Sequence, residues 1–305
     1  MTTEEEFQAR LKTCCDMANT YLDDLKQNVE PDKSDEAFDS VKLQDTMAKL
    51  ARVLSHDATK LTLACKPPRK PEDATRMLLE ISNTFYRIVG FYRTIPAGEA
   101  GHVFKNAYHS VVRQLLHSLI SLCSSFMTSP LNKPFMVPTA ALWETCEKLE
   151  KEMPKNNEQA VRLGWKQLSS TLADAKQEVH DIDRDEVTIT EDADGVVEKC
   201  QKSVDLAAMI LLKVERRCLA EGDTAWLDRA YEAAETLTDE ADVVVSQLYE
   251  VESKQEALDA VTQFRSCIAD LIRIAQEVAK DEHATWFQHA VAKLDTISNQ
   301  EKQSS

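Results

Sequence analysis

Apolar residues recur along this chain at steps of three and four, the repeat of one face of an α-helix. The pattern is strongest between Leu50 and Met127. One helix is expected to end in Leu61-Thr62-Leu63-Ala64-Cys65, followed by the corner Lys66-Pro67-Pro68-Arg69-Lys70-Pro71. The next carries Met77, Leu78, Ile81, Phe85, Ile88, Val89 and Tyr92 on one face. After the short turn Pro96–Gly101 comes a third, in which Val103, Ala107, Val111, Leu115, Leu119, Leu122 and Phe126 form a stripe. Phe104, Tyr108, Val112, Leu116, Ile120 and Cys123 widen it. An apolar arc that broad needs neighbours on several sides, so this helix is expected at the centre of a bundle. The short turn before it predicts antiparallel packing.

The same spacing extends to both ends. Phe7, Leu11, Cys14, Ala18, Leu22, Leu25 and Val29 mark a helix over about 3–28, stopped at Pro31-Asp32-Lys33-Ser34. A second, over about 35–65, turns Val41, Ala48, Ala51, Leu54, Ala58 and Leu61 inward. A proline-bearing loop, 129–138, leads to helices near 139–152 and 156–181. Four more are expected after residue 195: one from Val196 to Cys218, one capped by Asp223, one from Ala257 to Val278, and a short last one through Trp286 and Ile297. The four tryptophans, Trp143, Trp165, Trp226 and Trp286, read as core. Only Val187–Thr190 looks strand-like, and it is too short to build a sheet. The fold class is therefore all-α, about ten helices in two antiparallel bundles. No 34- or 40-residue self-similarity marks a solenoid.

Charge sets the expected division. Residues 181–195 hold seven acids and one arginine without helical periodicity, and read as an acidic linker between bundles at 1–180 and 196–300. The net charge of −16 is lopsided: residues 181–305 carry 13 Lys and Arg against 28 Asp and Glu. Such a field repels nucleic acid and anionic membrane and favours a basic protein partner. No apolar run is long enough to cross a bilayer, and the acidic N-terminus lacks the apolar core of a signal peptide. The eight cysteines form no C-x-x-C pair and fall mostly on apolar faces, the pattern of buried free thiols in a reducing compartment. The expectation is a soluble intracellular protein.

The sequence holds no P-loop, no G-x-S-x-G, no dinucleotide glycine pattern and no H-E-x-x-H. Acid–histidine neighbours such as His56-Asp57 diverge by about a hundred degrees on a helix. Neither catalysis nor a cofactor is expected, so function must lie on surfaces. Three candidates stand out. The corner Pro67, Pro68, Arg69, Lys70 and Pro71 has the shape of a polyproline ligand for an SH3 domain, or is a rigid interhelical bend. His109, Arg113 and His117, in line with His102, form either a pH-sensitive basic contact stripe or a solvated helix edge. Asp183, Asp185 and Glu186 in the acidic segment form a docking strip for a basic partner or a plain spacer; Thr188, three before Glu191, would suit a kinase.

Several stretches carry a family resemblance. They are Leu54-Ser-His-Asp-Ala-Thr-Lys-Leu-Thr-Leu63 with the proline corner after it, Tyr92-Arg-Thr-Ile-Pro-Ala-Gly98 between two helices, Val137-Pro-Thr-Ala-Ala-Leu-Trp-Glu-Thr-Cys146, and Thr285-Trp-Phe-Gln-His-Ala-Val-Ala-Lys-Leu294. In this order they resemble the cyclin-D-binding (cyclin-D-interacting, GCIP-like) family, with a shorter acidic insertion. The resemblance implies a vinculin- or talin-like pair of helical bundles in nucleus and cytoplasm. It implies binding to D-type cyclin, and to SH3-containing adaptor or helix-loop-helix proteins, with restraint of cell-cycle progression. The alternative is a vinculin-like cytoskeletal or adhesion adaptor, whose bundle would part to accept an amphipathic helix.

Overall fold

The computed structural model describes residues 3–27, 37–66, 68–128, 136–183 and 186–302, the last eight by backbone alone. Val29, the stop at 31–34, the loop residues 129–135, Pro67, Asp185 and the side chain of Ile297 lie outside the described residues. The described helices are α1 Thr3–Leu25, α2 Ser40–Ala64, α3 Pro71–Arg93, α4 Ala97–Ala100, α5 His102–Thr128, α6 Met136–Lys151, α7 Asn157–Asp181, α8 Ala193–Arg217, α9 Thr224–Glu250, α10 Lys254–Gln276 and α11 Asp281–Lys302. There is no β-strand among the described residues. The ten long helices expected from apolar spacing are present, and α4 is a single turn within the Pro96–Gly101 connection.

The chain divides into two compact units, 1–157 and 158–305. The division falls ahead of the 181–195 segment expected as linker, because α7 packs with the helices that follow it.

In the first unit the five long helices close a ring. α1 packs on α5, α5 on α6, α6 on α2, α2 on α3 and α3 on α1, with α3 and α5 also in contact across the ring. The broad arc of α5 answers this placement. Phe104, Tyr108, Val111, Val112, Leu115, Leu116, Leu119, Leu122, Cys123 and Phe126 are all buried. Burying each large apolar side chain contributes roughly 1.5–3 kcal/mol. Several residues expected inside are not fully so: Leu22, Met77, Val103, Ala107 and Ile120 are half-buried. Val41 is a clear correction, at 65% exposed. It stands in the first turn of α2, just after the Asp39 cap, and burial begins only with Leu43 and Met47.

The entry to α5 rests on a pair distant in sequence. The Asn157 side-chain oxygen accepts a hydrogen bond from the Phe104 amide at 3.0 Å, satisfying one of the donors left open at the start of that helix. Gly101, just before it, has φ 99°. Only glycine takes that conformation freely. A Cβ there would fall onto the Asn157 amide, so the cap and the glycine require each other.

The second unit is built around α10, which packs on α8, α9 and α11, while α8 also meets α9. α7 joins through α8. The Trp165 indole donates to the Leu211 carbonyl at 3.2 Å, Lys176 pairs with Asp205 at 2.8 Å, and Gln201 donates to the Val179 carbonyl at 2.9 Å. The pairings 165 with 211, 176 with 205 and 179 with 201 make α7 and α8 antiparallel. As expected, the Asp223 carboxylate caps α9, accepting from the Trp226 amide at 2.8 Å. Such caps contribute about 1 kcal/mol. The Trp226 indole closes the far end of α10 by donating to the Ile274 carbonyl at 2.9 Å. Trp165 and Trp226 are core, as expected. Trp143 and Trp286 are only half-buried, and Trp286 lies beneath the Lys213 ammonium, 5.1 Å from its ring centre. Phe287 takes the fully buried place on α11.

Candidate interaction surfaces

Proline shapes the basic corner. Pro71 opens α3 at a position where its missing N–H costs nothing, and Lys70 is the preceding cap residue, its amide bonded to the Ala64 carbonyl at 3.0 Å. The bend is therefore tied to the end of α2. Arg69 turns inward. Its guanidinium pairs with Glu4 at 2.7 Å, reaches the Phe126 carbonyl at 3.5 Å and lies over the Phe7 ring at 5.3 Å. Its side chain is only 12% exposed, so the arginine joins α1 to the last turn of α5. Pro68 and Lys70 face solvent.

His109 has a comparable role near the other end of α5. Its ring bonds the Leu25 backbone, where α1 ends, and lies against Tyr92, 5.9 Å between ring centres. Desolvation holds its pKa below the ordinary imidazole value, partly offset by the Leu25 bond, with the Arg113 charge pushing the same way as burial. The neutral ring is thus the form the fold accommodates. Arg113 and His117, one and two turns on, are exposed. From His109 to Phe126 the helix rises about 25 Å at 1.5 Å per residue, so the corner and the histidine stripe do not form one patch.

The sign of the His109 effect follows from linkage. Below about pH 6.5 an unfolded chain protonates this histidine more readily than the folded one does, so stability falls as the pH drops. Thermal melts between pH 5 and 8 are expected to show a smaller acid loss for His109→Gln than for the unsubstituted chain. Parallel curves would remove His109 from the account.

The acidic segment in the second unit is held in place. The Thr188 amide donates to the Leu248 carbonyl at 3.1 Å and its hydroxyl to the Val251 carbonyl at 2.7 Å, while the Thr190 amide donates to Glu252 at 3.2 Å. Ile189 between them is 5% exposed. Two threonines and one isoleucine thus clasp the C-terminal end of α9, where carbonyls lack helical partners. Asp183 and Glu186 remain exposed. Glu178 and Glu186 lie near Tyr249 and, after burial, raise its phenol pKa. Ile182, Val187 and Ile189 are spread among charges without a helical repeat, so the strand-like Val187–Thr190 stretch does not reveal the clasp it makes.

Among the described residues no group of three or more His, Cys, Asp or Glu is placed to hold a metal ion, and no helix is long and apolar enough to cross a membrane. The geometry offers helix faces, a tied corner and an acidic clasp.

These features belong to an all-helical protein, and the comparisons with known proteins point to an interaction role. Residues 46–185, from α2 through α7, match the family model described as "Grap2 and cyclin-D-interacting, N-terminal". The chain is 22% identical over 299 residues to the Cyclin-D1-binding protein 1 homolog of Xenopus laevis, covering 87% of this chain and 89% of that protein. It is 22% identical over 161 residues to the Danio rerio protein of the same name, covering 51% and 46%. An uncharacterized protein of Schizosaccharomyces pombe is 22% identical over 313 residues, covering 92% and 91%. The matched segment and these relatives support the resemblance to the cyclin-D-binding family that the ordered motifs carry. The cytoskeletal adaptor alternative gains no support from these relatives.

Proposed function

We propose that this protein binds a D-type cyclin through the outer faces of its helices and restrains cell-cycle progression by occluding a docking surface. The observation that carries the reading is the similarity to a cyclin-D1-binding protein along nearly all of both chains. A steric mode is supported by where the candidate polar positions sit, on the outer face of α5 and on connections between helices, exposed to solvent. Arg113 and His117 on α5, Pro68 and Lys70 at the corner, and Asp183 and Glu186 by the clasp are the exposed positions from which we expect contacts. An SH3-containing adaptor would have to use the corner without Arg69, which is engaged with Glu4 and Phe126. A helix-loop-helix protein is a further proposed partner, and nucleus and cytoplasm the proposed locations.

Isothermal titration of the purified chain with purified cyclin D1 tests the reading. Saturable one-to-one binding at micromolar or lower concentration is expected, weakened several-fold by Arg113→Glu with His117→Glu. Absence of binding at tens of micromolar would overturn it.

A further inference from the structure

Three cysteines lie where α1, α3 and α5 pack. Cys14 and Cys15 are neighbours on α1 and point about a hundred degrees apart. Cys14 faces α3, where the Ser82 hydroxyl donates to its sulfur at 3.6 Å. Cys15 faces the last turns of α5, its sulfur 4.0 Å from the Ile120 carbonyl. Cys123, one turn further along α5, is within hydrogen-bonding reach of both. All three are free thiols.

The three are not equivalent. Cys123 is fully buried and held protonated, its thiol pKa well above the ordinary value because its S–H can be donated to Cys14 or to Cys15 and because it is buried. It has one proton and serves one neighbour at a time. Cys15 is the most open, 7% exposed against 2% for Cys14, and has a second donor in the Ser124 hydroxyl. Hydrogen bonds from Cys123 and Ser124 bring its thiol down to about 7 despite burial. Elsewhere burial works unopposed by such donors: Cys65, Cys146 and Cys200 are pushed up to about 12 and Cys218 to about 11. A low-pKa thiol at the edge of the core beside a second thiol that can resolve its sulfenic acid is the arrangement typical of peroxide-sensing cysteines.

We propose that Cys15 and Cys123 are a peroxide-responsive pair that closes into a disulfide joining α1 to α5. In the first step the Cys15 thiolate sulfur attacks one oxygen of hydrogen peroxide. The O–O bond breaks, a sulfur–oxygen bond forms, and hydroxide leaves to become water with a solvent proton. In the second the Cys123 sulfur attacks the Cys15 sulfenic sulfur. The sulfur–oxygen bond breaks, the disulfide forms, and the Cys123 proton leaves with the hydroxide as a second water. Two thiols are oxidised by two electrons and one peroxide is reduced to two waters, so no further oxidant is needed. The product would bridge two helices of the ring that Arg69 and His109 already tie at their ends, fixing α1 on the bundle.

The experiment treats the reduced full-length chain with one equivalent of hydrogen peroxide, then blocks free thiols and digests without reductant for mass spectrometry. The expected result is one crosslink, Cys15 to Cys123, with loss of two of the eight thiols. Its rate should be at least tenfold above that of any other cysteine and should rise with pH through about 7. In Cys15→Ser the rate should fall to that of the remaining thiols, and in Cys123→Ser a trapped sulfenic acid should appear at Cys15. Crosslinks scattered over several cysteines, a sulfenic acid left unpaired in the unsubstituted chain, a Cys14 to Cys123 bond as the main product, or no thiol loss would each overturn the proposal.

Discussion

Gly101→Ala is expected to destabilise the first unit by about 3–5 kcal/mol. Two terms combine. A non-glycine residue at φ 99° carries roughly 1–3 kcal/mol of backbone strain. The new methyl group also meets the Asn157 amide, and overpacking of that kind costs about 1–3 kcal/mol. If the amide yields instead, the Phe104 amide loses its cap, a loss of about 1 kcal/mol. A second substitution separates the terms. Asn157→Ala alone removes the cap, but in the double variant the clash is gone, so the combined loss should be smaller than the sum by about 1–2 kcal/mol. Hydrogen exchange resolved by peptide across the first unit, with urea titration of each variant, checks both statements. Additive losses would mean that glycine and asparagine act independently.

Trp165→Ala is expected to cost the second unit about 3–5 kcal/mol, the range for removing a buried indole from a packed core. Trp165 is fully buried, and its N–H ties α7 to α8 at the Leu211 carbonyl. Trp165→Phe should cost less, about 1–2 kcal/mol. Most of the ring packing survives, and Leu211, as an interior helical residue, keeps its acceptor role in the backbone ladder. The measurement is again hydrogen exchange, since a chain of two units need not unfold in one step. Protection should fall across α7 and α8 first. Equal losses for alanine and phenylalanine would place the whole effect in the hydrogen bond.

Long periodic stretches were legible in the sequence. The stripe of α5 shows through because seven turns of helix repeat the same burial, so a residue or two at the margin, such as Val103, does not blur it. Val41 misleads because the first turn of a helix can overhang its neighbours. Position alone cannot show that Asn157 caps the Phe104 amide, 53 residues earlier, since the pairing depends on one side chain reaching across a fold. The acidic segment reads as a linker because charge dominates its composition, while the anchoring belongs to Thr188, Ile189 and Thr190. Of the surface candidates, Arg69 and His109 looked like contact residues and are ties between helices. Basic type and line of spacing are the same for both roles, and only burial tells them apart.

All eight cysteines lie inside the two units, five in 1–157 and three in 158–305. Apart from Cys15, a thiol-reactive dye would find little to modify on the intact molecule. Each unit thus carries its own set of concealed reporters, and the peptide in which a label first appears identifies which one has opened.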